Sequence, residues 1–149
     1  MIQRIQSIFL LLASAACFGL FGLPFATTDK AVAASELFAD SQYEITDHIA
    51  LIILFVLAGA LSLVAIFMFN NRPLQINLSR VSFIAAIIGF VLGLILFFND
   101  GIVESGANLP DPSDGFGTAL PILAGIFLLL AIRAINKDEK LVRSSDRLR

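Results

Sequence analysis

The chain has 149 residues, is 58% apolar before its 10 glycines are counted, is only 15% charged, carries a net charge of −2 and has a mean hydropathy of +0.89. A soluble domain is about 45–50% apolar with glycine included and about 25% charged, so this excess belongs in lipid, and the length allows one domain. Cys17 is the only cysteine and His48 the only histidine, which excludes an internal disulfide framework, a thiolate metal cluster and a multi-histidine site.

Four apolar runs follow one another, at residues 5–26, 49–69, 81–98 and 119–135. A hydrocarbon core of about 30 Å needs about 20 helical residues, with roughly 17–25 tolerated, so every run is long enough to span. Backbone polar groups find no water there, and each run is expected to close its hydrogen bonds as a helix. Arg4 before the first run and Ala31-Val32-Ala33 after it resemble a secretory signal with its cleavage site. The run exceeds the about 7–15 residues of a signal's apolar region, and the small residues stand beyond several polar positions, which favours a permanent span. Ser14-Ala15-Ala16-Cys17 is a loose lipobox without Leu three residues before the cysteine, and the apolar run continues to Phe25. Cys17 therefore reads as a small buried hydrophobe.

Residues 27–48 form a long outer loop, expected to hold a short helix around 35–39 or an extended piece over 42–46. Asp40, Glu44, Asp47 and His48 cluster at its end. Helical spacing places Glu44 and His48 on one face, where a divalent ion can bind, but acids in an outer loop are ordinarily solvated and no metal or cofactor is expected. Residues 70–80 are expected to be an 11-residue loop, with Asn70-Asn71-Arg72-Pro73 stopping the second helix and making an antiparallel hairpin with the third. In the third run Ala85, Gly89 and Gly93 recur at intervals of four, with a smaller stripe at Ala15, Gly19 and Gly22 in the first. Small residues let backbones approach in lipid. With three neighbours in the same chain, an internal seam is preferred to a dimer face.

Residues 99–118 form the second outer loop, in which Asn99-Asp100-Gly101 and Pro110-Asp111-Pro112-Ser113-Asp114-Gly115 read as consecutive turns. Asp114 or Thr118 is placed to cap the fourth helix, and Pro121 sits in its first turns. Arg133 stands one turn from the end of the last run, where it can snorkel. The tail at 136–149 brings Lys137, Lys140, Leu141, Val142, Arg143 and Arg147. Lys and Arg beside a membrane are drawn to anionic lipid by about 1 kcal/mol each, and lipid contact is the ordinary reading of Arg133 and the tail. Leu141 and Val142 beside Arg143 and Arg147 on one short helical face suit a membrane-protein partner instead. A net tail charge of about +2 makes too few phosphate contacts for nucleic acid.

Charge sets the orientation. Nine of the ten basic residues lie before the first run, between the second and third, or at the end of the fourth and in the tail; nine of the twelve acids lie in the two outer loops. Basic loops stay cytoplasmic, so four spans are expected with both termini inside. The spans hold no ionisable residue except Arg133, whereas a proton or ion pathway needs such groups facing the interior. No Gly-rich phosphate loop, paired-histidine metal motif or nucleophile elbow is present.

The segment Met1-Ile2-Gln3-Arg4-Ile5-Gln6-Ser7-Ile8-Phe9-Leu10-Leu11-Leu12-Ala13, the segment Ala131-Ile132-Arg133-Ala134-Ile135 and the end Asp138-Glu139-Lys140-Leu141-Val142-Arg143-Ser144-Ser145-Asp146-Arg147-Leu148-Arg149 resemble the signature ends of one family. It comprises small four-helix integral membrane proteins of Bacteroidota, classed as a domain of unknown function. The resemblance covers the chain in length and span count, with Phe9 standing where many members have Tyr. It implies a four-helix fold, an inner-membrane address and no catalytic residues. The expectation is thus an all-α membrane protein, four transmembrane helices in an antiparallel bundle, acting without catalysis as an accessory or scaffold subunit. The alternative is a small carrier or channel for an uncharged or lipid-like solute.

Overall fold

Each apolar run contributes a helix in the computed structural model, which describes residues 2–29, 37–99 and 113–146. The helices are α1 (Ile2–Gly19), α2 (Ile49–Phe67), α3 (Arg72–Asn99) and α4 (Ala119–Asp146). α1 packs between α2 and α4, and α3 closes the square on the opposite side. Contacts at both ends fix the directions. Gln6 Nε2 donates to the Ala134 carbonyl at 3.2 Å while Gly19 lies beside Leu120. Gln75 Nε2 donates to the Ala65 carbonyl at 3.0 Å while Gly89 faces Phe55. Arg72 pairs with Asp138 at 3.0 Å while Gly125 faces Phe83 and Ile87. Neighbours are therefore antiparallel.

Three helix boundaries differ from the apolar runs. α2, α3 and α4 are long and apolar enough to cross a membrane, whereas the apolar part of α1 is only Ile5–Gly19, about 22 Å at 1.5 Å per residue. Gly19 and Gly22 weaken the helix, and Pro24 disfavours helical geometry at Leu23, so the chain turns out before the run ends. α3 begins at Arg72, which reduces the expected 11-residue loop to a turn at 68–71. Asn71 Oδ1 accepts from the Leu74 amide at 3.3 Å, and Pro73 suits a first helical turn because its missing N–H is not needed there. The residues that interrupt the apolar pattern, Gln75 and Ser79, face inward and are buried. α4 runs on to Asp146, so most of the expected tail continues the last helix.

The chain leaving α1 meets the segments that lead into α2 and α4. Strands β1 (Ala26–Thr27), β2 (Gln42–Tyr43) and β3 (Ser113–Asp114) form an antiparallel sheet in the order β2-β1-β3, pairing Ala26 with both Tyr43 and Asp114. Two single 3₁₀ turns, Ile45–Asp47 and Phe116–Thr118, lead into α2 and α4. The second is pinned to the chain leaving α1, for the Gly115 and Gly117 amides donate to the Phe25 and Pro24 carbonyls, both at 2.9 Å. This approach leaves no room for a side chain at Gly117, whose Cβ would stand 2.4 Å from the Pro24 oxygen.

The bundle is more apolar outside than inside. Leu10, Ala13 and Cys17 of α1, Leu51, Phe55, Ala58, Ser62 and Ala65 of α2, and Ala124, Leu128, Ala131 and Ile135 of α4 are buried at helical spacing. α3 adds Gln75, Ser79, Ser82, Ala85, Gly89 and Gly93. Outward positions such as Ile53, Val64, Ile84, Ile88, Ile95, Ile122 and Ile126 are exposed. A helix in water shows the reverse, with its polar face turned to solvent. Inside, the Ser62 and Ser82 hydroxyls lie 2.8 Å apart and both reach the Ala58 carbonyl. One therefore donates to the carbonyl and the other to its neighbour.

Candidate functional site

The sheet end is built from aromatic rings. Tyr43, on β2, stacks beside Phe97 of α3 with centroids 6.3 Å apart, and Phe25 lies 5.2 Å from Tyr43 and 6.4 Å from Phe55. Phe38 adds a ring 6.2 Å from both Tyr43 and Phe97. The buried Tyr43 hydroxyl donates to the Gly93 carbonyl at 3.0 Å, which ties β2 to α3. Rings at this spacing attract by about 0.5–1.5 kcal/mol per pair beyond their burial.

Beside this cluster lies a cavity of about 210 Å³, lined among others by Phe25, Tyr43, Gly89, Gly93, Phe97 and Phe98. It arises from the stagger of α3 and α4, both 28 residues long. The Arg72–Asp138 and Phe83–Gly125 contacts set the first residue of α4 level with about residue 91 of α3. The last two turns of α3 therefore continue past α4, and the Phe116–Thr118 turn fills only part of the gap. Gly89 closes the floor against Phe55, and Leu94 and Phe98 stand exposed at the mouth.

The predicted packing residues Ala85, Gly89 and Gly93 are all buried on α3, and the two glycines also line the cavity. The acidic group near α2 is differently engaged from a metal site. His48 Nδ1 accepts from the Ala50 amide at 3.3 Å as the cap of α2, and Asp47 Oδ2 accepts from the Glu44 amide at 2.6 Å. Among the described residues no group of three or more His, Cys, Asp or Glu side chains is arranged to hold a metal ion. Partial desolvation pushes the Asp47 carboxyl above its ordinary value; the Glu44 amide opposes this, and repulsion from Asp40 and Glu44 adds to it.

At the other end, Arg133, Lys137, Lys140, Leu141 and Val142 are exposed on α4. Arg133, Lys137 and Lys140 follow one another at intervals of four and three, on the face turned away from the buried Ala131 and Ile135. Arg143 is on the last turns of α4 with its side chain outside the description, and Arg147 lies outside the described residues. Arg80, expected in a loop, is an exposed residue of α3 about 12 Å along the helix from Arg72.

Sequence reasoning missed the aromatic cavity because its walls come from four separate segments. The available signal was the pair Phe97-Phe98 standing at the end of an apolar run just before Asn99.

The family of proteins described as a domain of unknown function, DUF4293, matches residues 2–148. The chain belongs to the DUF4293 family. No curated protein matches it, and no solved structure does. The chemistry open to this DUF4293 chain is that of its own geometry, an apolar cavity at the sheet end and a basic helix face at the other.

Proposed function

We propose that this chain is a non-catalytic accessory or scaffold subunit of a larger assembly in the bacterial inner membrane, with the sheet end outside and both termini in the cytoplasm. The observation that carries the reading is the inverted bundle, whose outward faces of Ile, Leu, Val and Phe suit lipid or another spanning helix and whose small and polar residues face one another. The orientation is supported by Arg72, Arg80, Arg133, Lys137 and Lys140 toward one end and Asp29, Asp40, Glu44 and Asp47 at the other. A carrier for an uncharged or lipid-like solute needs a path through the bundle. Against it stand the Gly89–Phe55 contact that floors the cavity and the Ser62–Ser82 pair bonded across the α2–α3 seam below.

Leu141 and Val142 are 49% and 41% exposed on the helical extension beyond the last apolar turn, beside Lys137 and Lys140. This face suits a partner better than it suits water. Gentle detergent extraction of the tagged full chain, followed by mass spectrometry, is expected to recover a membrane-protein partner. The double change Leu141→Ser and Val142→Ser is expected to leave insertion and yield near wild type and to strip that partner. Unchanged co-purification would return this face to anionic lipid contact and count against the subunit reading.

A further inference from the structure

We propose that the cavity beside Gly89 and Gly93 is a binding site for one acyl chain of a zwitterionic phospholipid from the leaflet on the sheet side; this rests on the membrane-spanning reading above. Its α3 lining runs from Gly89 to Phe98, about 13 Å along the helix at 1.5 Å per residue, so the cavity is read as a slot beside α3. A slot parallel to a spanning helix is also parallel to the lipid chains around it. Its size separates the possible occupants. An apolar cavity of about 150 Å³ takes up benzene, so the 210 Å³ here has room for a stretch of hydrocarbon chain. It has no room for a helix, which with its side chains is about 10–12 Å across.

The walls offer an occupant almost nothing polar. The Tyr43 hydroxyl is already donated to the Gly93 carbonyl, and the Thr118 hydroxyl to the Phe25 carbonyl. What remains facing the slot is mainly aromatic and aliphatic surface, with its mouth between the exposed Leu94 and Phe98. The headgroup is selected by charge. Asp29, Asp40, Glu44 and Asp47 lie at this end of the bundle, where they repel an anionic headgroup and attract the cation of a choline or ethanolamine one.

Tyr43 is the only tyrosine and the chain has no tryptophan, so ultraviolet emission from the phenol reports this wall alone. The full chain is reconstituted in dioleoyl-phosphatidylcholine vesicles in which the lipid is replaced stepwise by phosphatidylcholine with brominated acyl chains. Flotation of the same vesicles reads insertion. The wild-type chain is expected to float and to lose Tyr43 emission as the brominated fraction rises. Gly93→Leu directs an isobutyl group into the slot, since a Cβ there meets only Tyr43 Oη at 3.6 Å and Leu51 Cδ2 at 3.9 Å. It is expected to float equally and to lose most of the quenching, with Gly93→Ala, a smaller plug, in between. Should the leucine variant fail to fold, the alanine variant decides. Equal quenching of wild type and variants overturns the proposal, because bromine would then reach Tyr43 from the bulk bilayer. A floating wild type without quenching overturns it too, because no brominated chain then enters the slot. Protein that does not float overturns the membrane-spanning reading, and the acyl-chain site with it.

Discussion

Gly117→Ala tests how the two outer loops are joined. An added Cβ would stand 2.4 Å from the Pro24 oxygen and 2.5 Å from the Leu23 oxygen, where ordinary contact begins at 3.4 Å. Both obstacles are backbone, so no side chain can swing aside. Separating the segments by about 1 Å carries the 2.9 Å bonds from Gly117 to Pro24 and from Gly115 to Phe25 out of hydrogen-bond range. Each of the two bonds contributes about 1 kcal/mol net, and strain at a tight site costs about 1–3 kcal/mol, so a loss of about 3–5 kcal/mol is expected. The assay is reversible unfolding in mixed micelles followed by circular dichroism, with amide exchange mapping the change to residues 24–28 and 113–118. Gly125→Ala is the control, because its Cβ meets only Ile87 and Phe83 at 3.9 Å. It is expected to be neutral or to stabilise by up to about 1 kcal/mol through helix propensity. Equal stability of Gly117→Ala and wild type would refute the docking of these loops.

Two further outcomes follow from single contacts. In a double-mutant cycle of Ser62→Ala and Ser82→Ala, the coupling energy across the α2–α3 seam is expected to be about 0.6 kcal/mol, the usual scale for a polar pair inside a membrane protein; additivity of the single changes would show that the hydroxyls do not meet. The folded state holds the Asp47 proton more tightly than the unfolded chain does, so this residue's contribution is greatest at low pH and is lost as pH rises through the raised value. The melting temperature of the wild type is expected to fall relative to Asp47→Asn across that window, and parallel pH profiles would contradict the desolvation.

The helices were legible because an unbroken apolar run in lipid has only one way to satisfy its backbone. Their ends were not, since apolarity says nothing of where a helix stops. The run to residue 26 hides the end of α1 at Gly19, where Gly22 and Pro24 carry the true signal. The start of α3 at Arg72 was masked by Gln75 and Ser79, polar residues that look like loop but point into the bundle. The sheet was legible only in part, through the extended reading of 42–46 that holds β2. Each of its strands has two residues, too few to show alternation, and it forms only because α1, from which β1 leads, packs against α2 and α4, into which β2 and β3 lead. Of the candidate sites, the basic face of α4 could be read from charge spacing, whereas Phe25 and Phe97 meet only through tertiary packing.

Cysteine accessibility tests most directly that the bundle crosses the membrane with its sheet end outside. In a Cys17→Ala background, Thr46→Cys precedes α2 and Asn71→Cys lies in the turn between α2 and α3, and both positions are exposed. An impermeant thiol reagent applied to intact cells is expected to modify Thr46→Cys at once and Asn71→Cys only after the membrane is opened. Modification of Asn71→Cys in intact cells would contradict the orientation, and equal modification of both would contradict the crossing itself.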